Sequence, residues 1–374
     1  MNRVGSERLE TVIIGGGQAG LAVGYHLGRR GRRFVILEAN DRVGLSWRTR
    51  WNSLRLFTPA QYNGLPGMAF PAPRHSLPTK DEVADYLDVY ATRFHLPVMT
   101  GVRVDGLSRV GGLFIVKSGN RRFECDNVVV ATGAYQTPRV PSFAPDLDPD
   151  ILQLHSSQYR SPSQLREGGV LVVGAANSGA EIALDVCGHH ETWLSGRDVG
   201  VEAPWRIGGF IDRFVIPLVW FLFSHVLTTK TSIGRRLRDK LRSMGLPLAR
   251  VKPKDFAPAG VERVQRTVAV QDGFPQLPDG RVLRVSNVIW CTGFRPDFKW
   301  IDLPIVDEDG YPQHERGVVT SQPGLYFVGL FFLNSPTSSL IGGVGRDAEH
   351  IAQHLAARES QEGTTSEVLS APAS

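Results

Sequence analysis

Cysteine is scarce in this chain: Cys125, Cys187 and Cys291 are the only three in 374 residues, and they stand far apart. No C-x-x-C pair, metal-type cysteine spacing or disulfide framework can be built from them, so a redox dithiol is excluded and a reducing compartment is expected. Long apolar runs are missing as well. The most apolar stretch, Phe210 to Leu227, is interrupted by Pro217 and carries Asp212 and Arg213 near its start, which falls short of the roughly 20 residues a spanning helix needs. The first ten residues, MNRVGSERLE, contain no apolar segment and do not read as a secretory leader; the cytoplasm is the expected location. An acidic excess is absent too, the net charge being +5 and the pI near 9.2. The basic clusters at Arg29, Arg30, Arg32, Arg33 and at Arg235 to Arg242 lack interleaved aromatics, so they read as solvated faces and no nucleic-acid partner is expected. No metal site is expected.

With 42% hydrophobic and 21% charged residues, the composition is that of a globular protein long enough for two domains. The organising stretch is Thr11 to Glu38. An apolar run, Thr11 to Ile14, leads into Gly15, Gly17 and Gly20, which satisfy G-x-G-x-x-G between a strand and a helix expected over Gln18 to Arg30. The three glycines act differently. Gly15 makes the tight turn, Gly17 lets a phosphate approach, and Gly20 lets helix and strand pack closely. Gly31 stops the helix, and a second strand, Phe34 to Leu37, ends at Glu38, an acid placed to accept hydrogen bonds from ribose hydroxyls.

A second unit follows at Gly169. The strand Val170 to Val173 runs into Gly174, Ala176 and Gly179, with alanine at the central position, then a helix over Asn177 to Cys187 and a strand over Thr192 to Leu194. Ser195 and Arg197 stand at its end where an acid would otherwise be. A hydroxyl and a guanidinium suit a 2′-phosphate, which points to NADPH. Two such units, one ending in an acid and one in an arginine, imply a flavin, FAD, fed by a nicotinamide.

Between the units lies a long irregular connection in which Glu38, Gly44 and Trp47 fit E-x-x-x-x-x-G-x-x-W. With the ordered series Leu54, Leu56, Pro59, Leu65, Pro66, Met68, Pro71, Pro78, Thr79, Tyr86, Leu87 and Phe94, the chain resembles flavin-containing monooxygenases, especially their short bacterial and plant YUCCA-like members, over about Thr11 to Arg358. The resemblance implies an α/β protein of two Rossmann-like domains, the NADP domain inserted into the FAD domain. The expected division is 1–165 and 285–358 for FAD, 166–284 for NADP, and a disordered tail over 359–374. It also implies that Trp47, the A-T-G segment at Thr132 and Gly133, and the T-G segment at Thr292 and Gly293 adjoin the cofactors. Asn177 and Ser178 would sit near the reacting flavin. A second family asparagine falls on Phe57, with Asn63 the nearest alternative. His155 and Tyr159 match the later half of a family signature whose first half falls on Pro149 and Ile151.

From the residues themselves, Thr79 caps a packing helix over Asp81 to His95, and strands are expected at Val98 to Val104, Leu113 to Ser118, Arg121 to Glu124, Cys125 to Val130, Val282 to Trp290 and Leu325 to Gly329. Gly342, Gly343 and Gly345 precede a helix starting near Asp347, whose N-terminus would face the flavin. The activity implied is NADPH- and O2-dependent monooxygenation of a small organic substrate through a C4a-peroxyflavin, by N- or S-oxygenation or by oxidative decarboxylation of a 2-oxo acid. The alternatives are an NADPH oxidase or quinone reductase, and a redox-sensing flavoprotein that binds a membrane transporter. The apolar segment Phe210 to Leu227 is read first as a lid or substrate channel at the domain interface, second, with the basic helix up to residue 244, as a peripheral membrane contact, and third as a plain core helix; a homo-oligomer is compatible with the sequence.

Overall fold

The computed structural model describes residues 7–197, 212–244, 248–308 and 310–370; residues 210, 211 and 371–374, on which two of the expectations fall, lie outside them. The chain opens with β1 (Glu7–Ile14), α1 (Gln18–Gly28) and β2 (Phe34–Leu37). The turn after α1 is closed by the Gly31 and Arg32 amides on the Gly28 and Leu27 carbonyls, and Arg30 donates to the His26 carbonyl while Arg32 pairs with Glu10. The first arginine cluster thus serves the helix end locally.

A single turn, α2 (Leu45–Arg48), interrupts the long connection before α3 (Lys80–Arg93). Thr79 and Glu82 form the reciprocal cap at the start of α3, as its sequence leads one to expect. Then come β3 (Val98–Met99), much shorter than the expected strand, β4 (Gly106–Val110), β5 (Leu113–Ser118) and β6 (Arg121–Val130). The two strands expected from Arg121 to Val130 are one. It pairs with β1 on one side; on the other, its first half pairs antiparallel with β5 and its last three residues pair parallel with β16 (Leu325–Phe327). The sheet order is β3-β2-β1-β6-β5-β4.

The second sheet is wholly parallel, in the order β11-β10-β9-β14-β8, with β8 (Leu152–His155), β9 (Val170–Val173), β10 (Thr192–Ser195), β11 (Val261–Val264) and β14 (Asn287–Trp290). Its central strands β9 and β14 are buried along their whole length, as a parallel sheet covered on both faces requires. Its members move the expected boundaries. β8 lies before residue 166 and β14 after residue 284, so both divisions fall between strands that share this sheet; β14 is also shorter than the strand expected from Val282. α4 (Asn177–Val186) covers one face with Tyr159, and a hairpin of β12 (Ala269–Gln271) and β13 (Phe274–Gln276) adjoins the other. The two crossings between the sheets pair with each other as β7 (Thr137–Pro138) and β15 (Phe294–Arg295).

The apolar segment forms α5 (Asp212–Phe221), continued by a π turn at Leu222–Val226, and the basic segment forms α6 (Ser232–Met244). Among the described residues no helix is long and apolar enough to cross a membrane. The last helix, α7, spans Ile341–Ser370. It begins six residues before the expected start, and it continues through a tail expected to be disordered. Ala, Arg, Glu and Gln after Leu355 are good helix formers, and the first proline beyond it is Pro372.

Candidate functional site

The two glycine turns repeat one another. Gly15 and Gly174 both have φ near +112°, and their amides bond the carbonyls that end the neighbouring strands, Leu37 and Ser195, at 2.8 and 2.7 Å. A Cβ at Gly20 would lie 1.9 Å from the Gly15 carbonyl oxygen, and one at Gly179 would lie 1.7 Å from that of Gly174, so each helix rests directly on its turn. Gly17 and Ala176 hold the N-cap positions with nearly the same backbone angles, and neither cap has a side-chain hydrogen bond. A Cβ at Gly17 would meet nothing within 4 Å, and Ala176 is exposed. Both helix starts therefore turn a positive dipole end, with no side-chain cap, toward open space, which fits a pyrophosphate.

The strand ends differ where the ribose would lie. Glu38 is buried, its Oε2 accepting from the Gly16 amide at 2.7 Å and its Oε1 from the Asn40 amide and side chain. A carboxylate held beside the turn fits ribose hydroxyls. In the second unit, the residue following the carbonyl that caps Gly174 is Gly196, and its Cβ would abut the Ala175 amide at 2.7 Å. Gly196 is thus the counterpart of Glu38. Ser195, expected to meet a phosphate, is fully buried, with its hydroxyl engaged by the Gln265 carbonyl and Thr267; sequence spacing alone placed it one position too far along. Arg197 is exposed just beyond. The register pairs Ser195 with Val264, so Arg266, also exposed, leaves the same sheet edge two residues after Val264, as Arg197 does after Ser195. Arg266 was not singled out from the sequence; only the pairing of β10 with β11 reveals it.

Asn177 stands in the first turn of α4 and accepts the Ala249 amide at 3.0 Å, with Ser178 half-buried beside it. One turn on, Glu181 lies 3.3 Å from Arg250; burial outweighs that cation and pushes its carboxyl up to about 7. Asn63 is buried and fully engaged by Thr58 and Pro59, a knot in the chain, whereas Phe57 is half-buried. Trp47 donates to Gln18 at 3.4 Å and packs against the cores of both sheets.

The two T-G segments meet at the crossing. Gln136 donates to Thr132 Oγ1 and to the Gly133 carbonyl, and its own carbonyl accepts the Asp297 amide. Thr292 donates to the Arg139 carbonyl. His155, from the edge of the second sheet, sits 3.1 Å from the Gly293 carbonyl through Nε2, while its Nδ1 faces Ser157. These partners require the Nε2–H tautomer, and burial holds the ring below the ordinary histidine range, in the neutral form. His155 therefore ties the second sheet to the crossing.

A cavity of about 320 Å³ is lined by Tyr62, Leu65, Met68, Trp220 and Gly342, among others. Trp220, from α5, packs against Tyr62 with ring centroids 4.9 Å apart. The loop that forms its wall is held by α3: Tyr86 accepts the Leu65 amide and donates to the Met68 carbonyl, and Tyr90 donates to the Pro66 carbonyl. The helix read as packing alone thus shapes a site. Gly342 and Gly343 lie inside the first turn of α7, where side chains would strike the Tyr62 and Thr337 carbonyls at 1.8 and 1.9 Å. Close backbone contact accounts for them.

Among known proteins, the family profile for pyridine nucleotide-disulphide oxidoreductases matches residues 12–199. The chain is 39% identical to an uncharacterized oxidoreductase CzcO-like from Geobacillus kaustophilus (strain HTA426), over 93% of this chain and 98% of that one. It is 29% identical to the probable indole-3-pyruvate monooxygenase YUCCA7 of Arabidopsis thaliana, over 92% and 87%. The structure of a flavin-containing monooxygenase from Stenotrophomonas maltophilia superposes with a TM-score of 0.76 at 28% identity, covering 94% of this chain and 99% of that one.

Proposed function

The chain belongs to the pyridine nucleotide-disulphide oxidoreductase family, as an oxidoreductase of the flavin-monooxygenase type, and on that premise we propose that it uses FAD and NADPH to place one oxygen atom of O2 on a small organic substrate. The observation that carries the cofactor assignment is the contrast between two matching turns, one holding Glu38 and the other Gly196 followed by Arg197. Gly15, Gly17, Glu38 and Trp47 would hold FAD, with Thr132 and Gly133 beside it. Gly174, Ala176, Gly179, Arg197 and Arg266 would hold NADPH, with Gly196 at the place of the carboxylate that would repel its 2′-phosphate. When bound, the flavin supplies acceptance of two electrons from the nicotinamide and their delivery to oxygen. The chain's own residues would align the two sites through the crossing, with Asn177 and Ser178 near the reacting ring.

The cavity suits the substrate. Its volume lies at the small end of ligand pockets, and among the described residues its lining joins Tyr62, Leu65, Met68 and Trp220 to Gln61 and to backbone groups, exposing mainly polar atoms. N- or S-oxygenation and oxidative decarboxylation of a 2-oxo acid are both compatible with it.

With an aromatic thioether, the purified enzyme should consume NADPH and O2 in step with sulfoxide formation. Peroxide equal to the NADPH consumed would make it an oxidase, and failure of NADPH to reduce the flavin would favour a redox sensor. Arg197→Ala should raise the KM for NADPH by about ten- to a hundred-fold, the loss of one charge-assisted contact, and leave the KM for NADH unchanged. Equal loss with both would refute the 2′-phosphate assignment.

A further inference from the structure

Five of the eleven large apolar side chains exposed among the described residues fall within twenty positions: Phe214, Leu218, Phe221, Val226 and Ile233. On α5 and its π-turn continuation they are not scattered. Phe214 is 70% exposed, Leu218 59% and Phe221 54%, and with exposed Pro217 they recur at i, i+3, i+4 and i+7, one face of one helix. That face points away from the protein, inverting the usual amphipathic arrangement, because the opposite face is occupied. Trp220 lines the cavity against Tyr62, and Ser224 is buried against Thr337. A contiguous apolar face of this kind marks an interaction surface.

The chemistry beside it selects the occupant. Lys230, Arg235, Arg236 and Lys240 are exposed on the turn and helix that follow, next to exposed Ile233. From Phe214 to Leu241 the only acid is Asp239, and Arg238 is paired with it. A second copy docked through the same surface would bring two net-cationic segments together. An apolar stripe followed along the chain by exposed cations instead complements an anionic phospholipid surface, whose phosphates lie outside its acyl boundary. We propose that α5 and α6 form a monotopic docking surface for anionic bilayers, with Phe214, Leu218 and Phe221 entering the acyl boundary and Lys230, Arg235 and Arg236 meeting the phosphates. Since the inner face of α5 lines the cavity, docking sets that cavity about one helix diameter, roughly 10 Å, from the lipid.

The test is flotation of the full chain with vesicles of phosphatidylcholine alone or mixed equally with phosphatidylglycerol. Binding to the mixed vesicles, weakened by salt and by omission of the anionic lipid, is the expected result. Each basic residue near the surface is worth about five-fold in affinity, so Arg235→Glu with Arg236→Glu should weaken binding at least about 25-fold. Phe214→Ser, Leu218→Ser and Phe221→Ser together should abolish flotation while leaving the thermal melt monitored by circular dichroism unchanged. Failure of the parent protein to float, or flotation of the triple variant at parental affinity, would overturn the proposal. So would sedimentation velocity showing self-association that the triple variant loses, which would assign the face to a second copy.

Discussion

Glu38 and Gly196 occupy equivalent places beside two matching turns, and in the proposed assignment the difference between a carboxylate and a hydrogen there would decide which ribose each turn takes. Ser195 shows how residue type can mislead: its hydroxyl lies at the strand end, but it closes the loop to Thr267. Glu181 supplies a test at this scale. Its folded-state pKa is raised from 4.5 to about 7, so its contribution to stability is fully present below the unfolded value and is lost as pH rises through about 7. From about pH 5 to about pH 8, the parent protein should lose on the order of 3 kcal/mol relative to Glu181→Gln. Urea unfolding at several pH values checks this; parallel curves would show that Arg250 keeps the carboxyl ionised in the fold.

At the scale of elements, each turn and its helix form a unit whose glycines have separable jobs. Gly20→Ala would force a methyl onto the Gly15 carbonyl and should cost about 1–3 kcal/mol of stability. Gly17→Ala meets open space, so the melting temperature of the cofactor-free protein should stay constant while affinity for FAD falls about ten-fold, ~1.4 kcal/mol. Melting curves and flavin titration together separate the two; equal behaviour would mean that the open space at Gly17 is not where the phosphate lies. The strand–glycine–helix units and the capped α3 were legible because each depends on residues a few positions apart. The cavity wall was not, since the hydroxyls of Tyr86 and Tyr90 reach carbonyls 18 and 24 residues away.

Across the whole molecule, the long connection of the first domain reaches into the second. Trp51 and Leu54 pack in the same core as Val170, Ala180 and Ile289, and the paired crossings β7 and β15 fasten the other side. Trp51→Ala should therefore cost about 3–5 kcal/mol and divide a single calorimetric transition into two, one for each sheet. A single transition, merely shifted, would show that the crossings alone couple the domains.

The sequence by itself determined the two dinucleotide turns, the acid at Glu38, the arginine at Arg197 and the lack of a redox dithiol, because these are properties of residue type and short spacing. Tertiary structure alone decided that β8 and β14 belong to the second sheet, that Gly196 answers Glu38, that Arg266 joins Arg197, and that the apolar face of α5 is turned outward. Each of these depends on strand register or on which side of a helix finds a partner, and both are set by contacts between segments distant along the chain.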